Sequence, residues 1–365
     1  MKITYLANIR LPTEKAHGAQ IMKTCEALAK AGAEVELLVT NRKSEQADPF
    51  AYYGIEPVFK ITRLPVLDTV TWGPLGFLLE AASFGVSCLF YLLSHRPEAA
   101  YSRDELPLWL VSWFFAPCVW ESHTGAYNFF AKRFLTKDKK TVVISQGLKD
   151  FYLSKSAAAD MLVAHDAIDL VAFKQPLSKE AARERLSLPQ DKTIVMYVGR
   201  LDGWKGTQTL FNAAALLPPN FLVAIIGGEE AQITELKEKC RSVIFLGAKP
   251  YRELALNEAA ADILVLPNTA QDTISSRFTS PMKLFSYMAA GKPIVASDLP
   301  SIREVVDESM VTFFTPDNAQ SLAESIQVID EDRASALQRA ERALQEVERY
   351  TWGARAQSIV SFIDR

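Results

Sequence analysis

The stretch Thr193-Ile194-Val195-Met196-Tyr197-Val198-Gly199-Arg200-Leu201-Asp202-Gly203-Trp204-Lys205-Gly206 decides the fold. Its first six residues form a short apolar run rich in β-branched and aromatic side chains, the pattern of a buried strand. The chain then breaks at Gly199, sets an arginine and a lysine around Gly203, and runs from Gly206 into a helical pattern. Strand, glycine-containing loop and helix in that order open a parallel sheet with helices on both faces.

The same alternation continues on both sides of this stretch. Toward the C-terminus, 222–226, 243–246, 263–266, 294–296 and 311–314 read as short buried strands. Toward the N-terminus, 3–7, 35–39, 58–61, 99–101, 118–120 and 142–144 do the same, with a first helix over 19–31. Two such series imply an α/β protein of two Rossmann-like, doubly wound parallel-sheet domains. The seam falls at 169–189, where the strand pattern lapses and Pro176 and Pro189 appear. The expected domains are 1–170 and 171–348, with 349–365 as a tail helix around Trp352. Residues 317–347 are expected to be helical, from apolar spacings such as Leu337, Ala340, Leu344 and Val347.

A length of 365 residues, 49% hydrophobic and 23% charged, suits a two-domain globular protein. A net charge of −3 makes no case for nucleic-acid binding. Cys25, Cys88, Cys118 and Cys240 are scattered without a C-x-x-C pair, as expected of buried thiols in a reducing compartment. The start turns polar within a few residues, so no signal peptide is expected and the location is read as cytoplasmic. One segment stands apart: 73–93 is almost wholly apolar, with Glu80 its one charge. It is read as a buried or membrane-touching helix in preference to a spanning one. Lys132, Arg133, Lys137, Lys139 and Lys140 form a basic cluster able to lean on anionic lipid at the inner face of a membrane.

In open parallel sheets, chemistry gathers in the loops at the carboxyl ends of strands. After Val198, Arg200 offers a planar fork and Lys205 a mobile charge, both suited to phosphate oxygens. A second piece, Ser280-Pro281-Met282-Lys283, reads as a helix start: Ser280 as N-cap, Pro281 at the first helical position. The amides of Met282 and Lys283 then sit at the positive end of the helix dipole, a ready anion site.

Several motifs together carry a resemblance: Val198-Gly199-Arg200 with Lys205-Gly206; Ile226-Gly227-Gly228-Glu229; Ala261-Asp262-Ile263-Leu264-Val265-Leu266-Pro267-Asn268; and Tyr287-Met288-Ala289-Ala290-Gly291-Lys292-Pro293. They resemble glycosyltransferase family 4, retaining enzymes of the GT-B type, in which two Rossmann-like domains face a central cleft. The resemblance is strongest over 193–315. In the first half it rests on Leu11-Pro12-Thr13-Glu14-Lys15-Ala16-His17-Gly18 and on Val119-Trp120-Glu121-Ser122-His123, and Val163-Ala164-His165-Asp166 resembles the family's crossover between domains.

By that resemblance, Arg200 and Lys205 bind the donor diphosphate and stabilise the leaving group. The helix start at Pro281, Met282 and Lys283 adds to the same site, and Gly18 faces the phosphates from the first domain. Gly228 and Glu229 line the donor cleft, Pro250 and Tyr251 seat the nucleobase, and His123 approaches the donor sugar. The tail helix is implied to pack back on the first domain. The implied substrates are a nucleoside-diphosphate sugar and a glycan or lipid-linked hydroxyl acceptor, with no metal or other cofactor.

The family's two glutamates, eight positions apart, would fall at Phe278 and Ser286, and neither is acidic here. Loss of the second leaves the ribose hydroxyls without their usual carboxylate, so donor binding is expected to be weak unless another acid substitutes, Asp272 being the loose candidate. This departure keeps alive a relative that binds without turnover. A sugar-nucleotide epimerase on the same architecture is the other alternative. Asp330-Glu331-Asp332 spells a D-x-D but falls in a charged helical stretch and is read as a solvated face.

Overall fold

The computed structural model describes residues 1–13, 15–42, 47–174 and 177–365, so Glu14 of the first-loop motif and Pro176 of the seam lie outside the described residues. The chain divides into two compact units, 1–166 with 352–365, and 167–351.

The first unit holds a parallel sheet of β1 Lys2–Ala7, β2 Glu34–Thr40, β3 Lys60–Leu64, β4 Ala99–Ser102, β5 Cys118–Ser122, β6 Lys140–Val143 and β7 Asp160–Val163. Their order is β3-β2-β1-β4-β5-β6-β7. Two details differ from the sequence expectation. The edge strand β3 lies later than 58–61, because Glu36 of β2 pairs in register with Lys60 and takes hydrogen bonds from Lys60 at 2.7 Å and Thr62 at 2.6 Å. The seventh strand, β7, pairs with β6 through Lys140↔Asp160 to Val143↔Val163. It hid in the sequence because its apolar run, Met161-Leu162-Val163, is only three residues long and merges into the crossover motif.

The second unit holds β8 Thr193–Val198, β9 Phe221–Ile226, β10 Val243–Phe245, β11 Ile263–Leu266, β12 Ile294–Ser297 and β13 Thr312–Phe314, ordered β10-β9-β8-β11-β12-β13. Alternation along β8 feeds two cores. Ile194 and Met196 join one apolar cluster, while Val195 and Tyr197 join the other on the opposite face. Asp262, just before β11, accepts the Ile194 N–H at 2.8 Å, Arg333 at 3.0 Å and Lys179 at 3.2 Å, and pairs with buried Arg183. Burial alone would raise this carboxyl; the Ile194 N–H and the surrounding cations outweigh it and hold it below the usual range. The network clamps β8 to β11 at their amino ends.

The helical stretch expected over 317–347 consists of two helices, Ala319–Glu331 and Arg333–Glu346. The break is at Asp332, whose carboxylate caps the second helix by accepting the Ser335 N–H at 3.1 Å. The D-x-D stretch is thus a helix junction: Asp332 is a cap, and half-buried Asp330 reaches the Thr193 hydroxyl at 3.4 Å.

The helix Trp352–Asp364 belongs to the first unit and packs on the helix Ala16–Lys30. Lys140 donates to the carbonyls of Phe362 at 2.9 Å and Ile363 at 3.0 Å, a cation placed at the negative end of that helix. Lys140 therefore leaves the basic cluster in which the sequence places it.

Candidate functional site

In the second unit the chain leaves β8 toward β9 and leaves β11 toward β12, in opposite directions, so the loops after β8 and β11 flank the point where the strand order reverses. Glycine lets these loops approach. Gly206 has φ 67°, and a Cβ there would lie 1.8 Å from the Pro267 carbonyl oxygen after β11. At Gly227, with φ 127°, it would lie 2.0 Å from the Gly199 carbonyl oxygen. The Gly199 N–H donates to the Ile226 carbonyl at 2.8 Å and the Gly227 N–H to that of Gly247 at 2.9 Å, so the loops after β8, β9 and β10 are knitted together.

Three cations converge on this edge. Arg200 is exposed and holds Asp202 at 3.2 Å. Lys205 ends the 3₁₀ turn Gly203–Lys205 with its ammonium 3.3 Å from the centre of the Trp204 ring. Lys283 reaches up from the helix Met282–Ala289 to donate to the Tyr197 hydroxyl at 2.8 Å, and that hydroxyl donates to the Arg200 carbonyl at 2.7 Å. Among the described residues Lys283 has no carboxylate partner. Burial first and Lys205 second push its ammonium well below the usual lysine range, with Asp202 opposing. A desolvated lysine beside a second cation at a helix start is an arrangement able to receive an anion. Tyr197 read in the sequence only as strand interior; its role in joining Arg200 to Lys283 had no signal there.

The helix start lies one residue later than expected. Pro281 is the N-cap, extended at ψ 103°, and Met282 is the first helical residue. The residue before a proline is steered to extended backbone, and the chain stays extended through Pro281. The Leu284 N–H turns back to the Pro281 carbonyl at 2.8 Å, leaving Met282 and Lys283 to present the open amides. Gly228 and Glu229 follow β9, and Pro250 and Tyr251 follow β10, so all four stand at the same edge of the sheet.

At the position of the missing second glutamate, the Ser286 hydroxyl stands 2.8 Å from Glu258 Oε1 and 3.0 Å from the Lys283 carbonyl. Glu258 is fully buried, and its Oε2 has no partner among the described residues. Burial pushes its carboxyl up to about 8, opposed only by the Ser286 contact. Asp272, the acid suggested by the sequence, is engaged elsewhere: it accepts the Ser275 N–H at 3.0 Å in the turn leading to Phe278. Glu258 had a faint signal, a charged residue inside the apolar run before β11.

In the first unit, β5 delivers Glu121 and, just past its end, His123. Glu121 is fully buried and accepts from His123 Nε2 at 2.6 Å, Arg355 at 2.8 Å, Gln20 at 2.9 Å and the Tyr101 hydroxyl. Burial would raise its carboxyl; Arg355 foremost, then His123 and Tyr101, hold it well below the usual range. Burial, and then Arg103, push the His123 imidazole down, while its Nε2 faces the Glu121 carboxylate. Gly18 is buried. Its amide bonds the Lys15 carbonyl at 3.0 Å, and a Cβ would strike the Tyr53 hydroxyl at 2.3 Å. Packing on Tyr53 accounts for the glycine, and its amide is not open to a phosphate in this unit.

The loops after β8 and β11, their cations and the helix start thus gather at one edge of the sheet, and residues 178–346 match the model of the family described as Glycosyl transferases group 1. The fold of the two units is that of the GT-B glycosyltransferases. The chain is 25% identical over 332 residues to the D-inositol 3-phosphate glycosyltransferase of Xylanimonas cellulosilytica, covering 78% of this chain and 76% of that protein. It is 24% identical over 249 residues to the lipopolysaccharide 1,2-N-acetylglucosaminetransferase of Salmonella typhimurium, covering 64% and 60%. In other curated relatives the match spans about half of their length, 49% in one and 45% in another. Among solved structures it is similar to Anabaena HepE in complex with UDP and glucose, with a TM-score of 0.77, 18% identity and coverage of 100% and 99%.

Proposed function

We propose that this chain moves a sugar from a nucleoside-diphosphate sugar to a hydroxyl of a glycan or lipid-linked acceptor of the cell envelope, on the cytoplasmic side, with retention of configuration. The observation that carries the reading is the convergence of Arg200, Lys205 and Lys283 with an open helix start at the carboxyl edge of β8 and β11. On this reading the three cations meet the charge that grows on the diphosphate as the sugar departs, in place of a metal ion. The departing phosphate then takes part in removing the acceptor proton on the same face. His123, held by Glu121, approaches the donor sugar.

The test is hydrolysis of a panel of nucleotide-sugars without acceptor. Wild type should release nucleoside diphosphate from at least one, and Arg200→Ala should lower that rate about a hundredfold or more. Equal rates in the two proteins would remove the diphosphate role. A donor isomerised with its diphosphate intact would point to an epimerase instead. A relative that binds without turnover draws on Phe278 and Ser286; tight binding with no release from any donor would favour it.

A further inference from the structure

One side of the helix Pro74–His95 is uncovered within its own unit. Glu80, Ala81, Phe84, Gly85, Cys88 and Leu92 face inward, with Gly85 close against Pro107 and Leu110 of the helix Glu105–Val111. On the opposite side Leu75, Leu79, Val86, Phe90 and Leu93 recur at helical spacing, all exposed, Leu75 at 74% and Phe90 at 69%. The stripe is about 27 Å long at the helical rise. A helix facing water ordinarily turns charged residues outward; the one charge between 74 and 94 is Glu80, which points in and takes the Asn8 amide at 2.9 Å.

The apolar surface continues on neighbouring elements. The helix Glu105–Val111 packs on this helix and leads to exposed Trp113 and Phe114. Trp109 bridges Trp113, at 5.7 Å between ring centres, and exposed Phe129, at 5.6 Å. Cations sit directly on these rings: Arg133 lies 3.8 Å from the centre of Trp113 and Lys132 4.7 Å from that of Tyr127. Exposed Lys137 and half-exposed Lys139 follow, with Asp138 the one acid in the run 128–140.

We propose that this side of the first unit docks on an anionic lipid bilayer, the leucine–phenylalanine stripe entering the interface and Lys132, Arg133 and Lys137 meeting the headgroups. Charge complementarity selects this occupant. Aromatic rings carrying cations at the border of an apolar face are the composition of the lipid–water boundary. Anionic headgroups attract each Lys and Arg, whereas protein interfaces are depleted in lysine. The helix lies on the membrane and does not cross it, because its inner side stays packed with Glu80 sealed beneath. The proposal does not depend on the donor site, which belongs to the other unit.

Flotation of the full chain with phosphatidylcholine vesicles, with and without phosphatidylglycerol, tests it. Wild type should float with the anionic vesicles. Leu79→Gln with Phe90→Gln, both at exposed positions, should lower the bound fraction about tenfold or more. Lys132→Gln with Arg133→Gln should lower it severalfold and abolish the preference for anionic lipid. Unchanged melting of both variants shows that folding is not the cause. Wild type left unbound by anionic vesicles at low salt overturns the proposal, as do variants that float like wild type. So does a dimer on gel filtration that the Leu79/Phe90 variant splits while vesicles capture neither protein; that result assigns the surface to a second copy.

Discussion

Arg355→Met should cost the protein about 3–5 kcal/mol of stability, since it leaves a buried carboxylate without its counter-ion. The carboxylate is Glu121, fully buried on β5, and Arg355 reaches it at 2.8 Å from the helix Trp352–Asp364. The loss should depend on pH. Without the guanidinium, burial is opposed only by the remaining contacts, such as those of His123 and Tyr101, and the Glu121 carboxyl shifts upward. A carboxyl raised on folding costs nothing while it is protonated below its unfolded value, about 4.5, and the cost grows as pH rises from there toward the folded pKa. The variant should therefore be less damaged at pH 5.5 than at pH 8 in urea melts. The double variant Glu121→Gln, Arg355→Met should be more stable than Arg355→Met alone, because it removes both charges. A single-variant loss under about 1 kcal/mol, equal at both pH values, would show that the pair behaves like a surface ion pair.

Glu258→Gln should do the reverse and stabilise the protein at alkaline pH. The Glu258 carboxyl is pushed up to about 8 by burial, with only the Ser286 contact opposing. An acid raised on folding keeps its proton in the folded state. Folding stability therefore falls as pH climbs from the unfolded value, about 4.5, to the folded one, and stays reduced above it. Glutamine holds the neutral shape without that loss. The gain should be about 4–5 kcal/mol at pH 8.5 and near zero at pH 4.5. In thermal melts this means a rise of roughly 5 °C or more at the alkaline end. An equal difference at both ends would mean that the carboxyl titrates normally. The same substitution clears the ground for the ribose question. Ser286→Glu in the wild-type background sets two carboxyls together, which like-charge repulsion penalises. In the Glu258→Gln background it supplies a single acceptor, and nucleotide affinity should rise about tenfold on the proposed donor reading.

What could be read from the sequence was what is local. Thr193–Val198 and the loop to Gly206 announced the second sheet because a strand, a glycine break and a helix start fall within fourteen consecutive residues. The convergence of Arg200 with Lys283 was approachable because each follows the end of a strand or opens a helix, and sheet topology brings those places together. β7 was hidden by its brevity at a sheet edge, and the cap at Pro281 by a one-residue ambiguity that depends on ψ. The contacts that set the charge states were out of reach. Ser286 meets Glu258 across 28 positions, Arg355 meets Glu121 across 234, and neither pair leaves a periodic trace. Gly18 carries a packing constraint of the same long-range kind: a Cβ there would lie 2.3 Å from the Tyr53 hydroxyl.

The first unit is discontinuous in the chain: 1–166 is completed by 352–365, with all of 167–351 between them. During synthesis, β5 and its buried glutamate leave the ribosome long before Arg355 is made, and Lys140 waits equally long for the carbonyls of Phe362 and Ile363. The amino-terminal sheet thus gains the counter-ion of its central acid only after translation has passed the whole of the other unit. Closure of the first unit therefore waits on the helix Trp352–Asp364, a latch that ties the folding of one unit to the synthesis of the other.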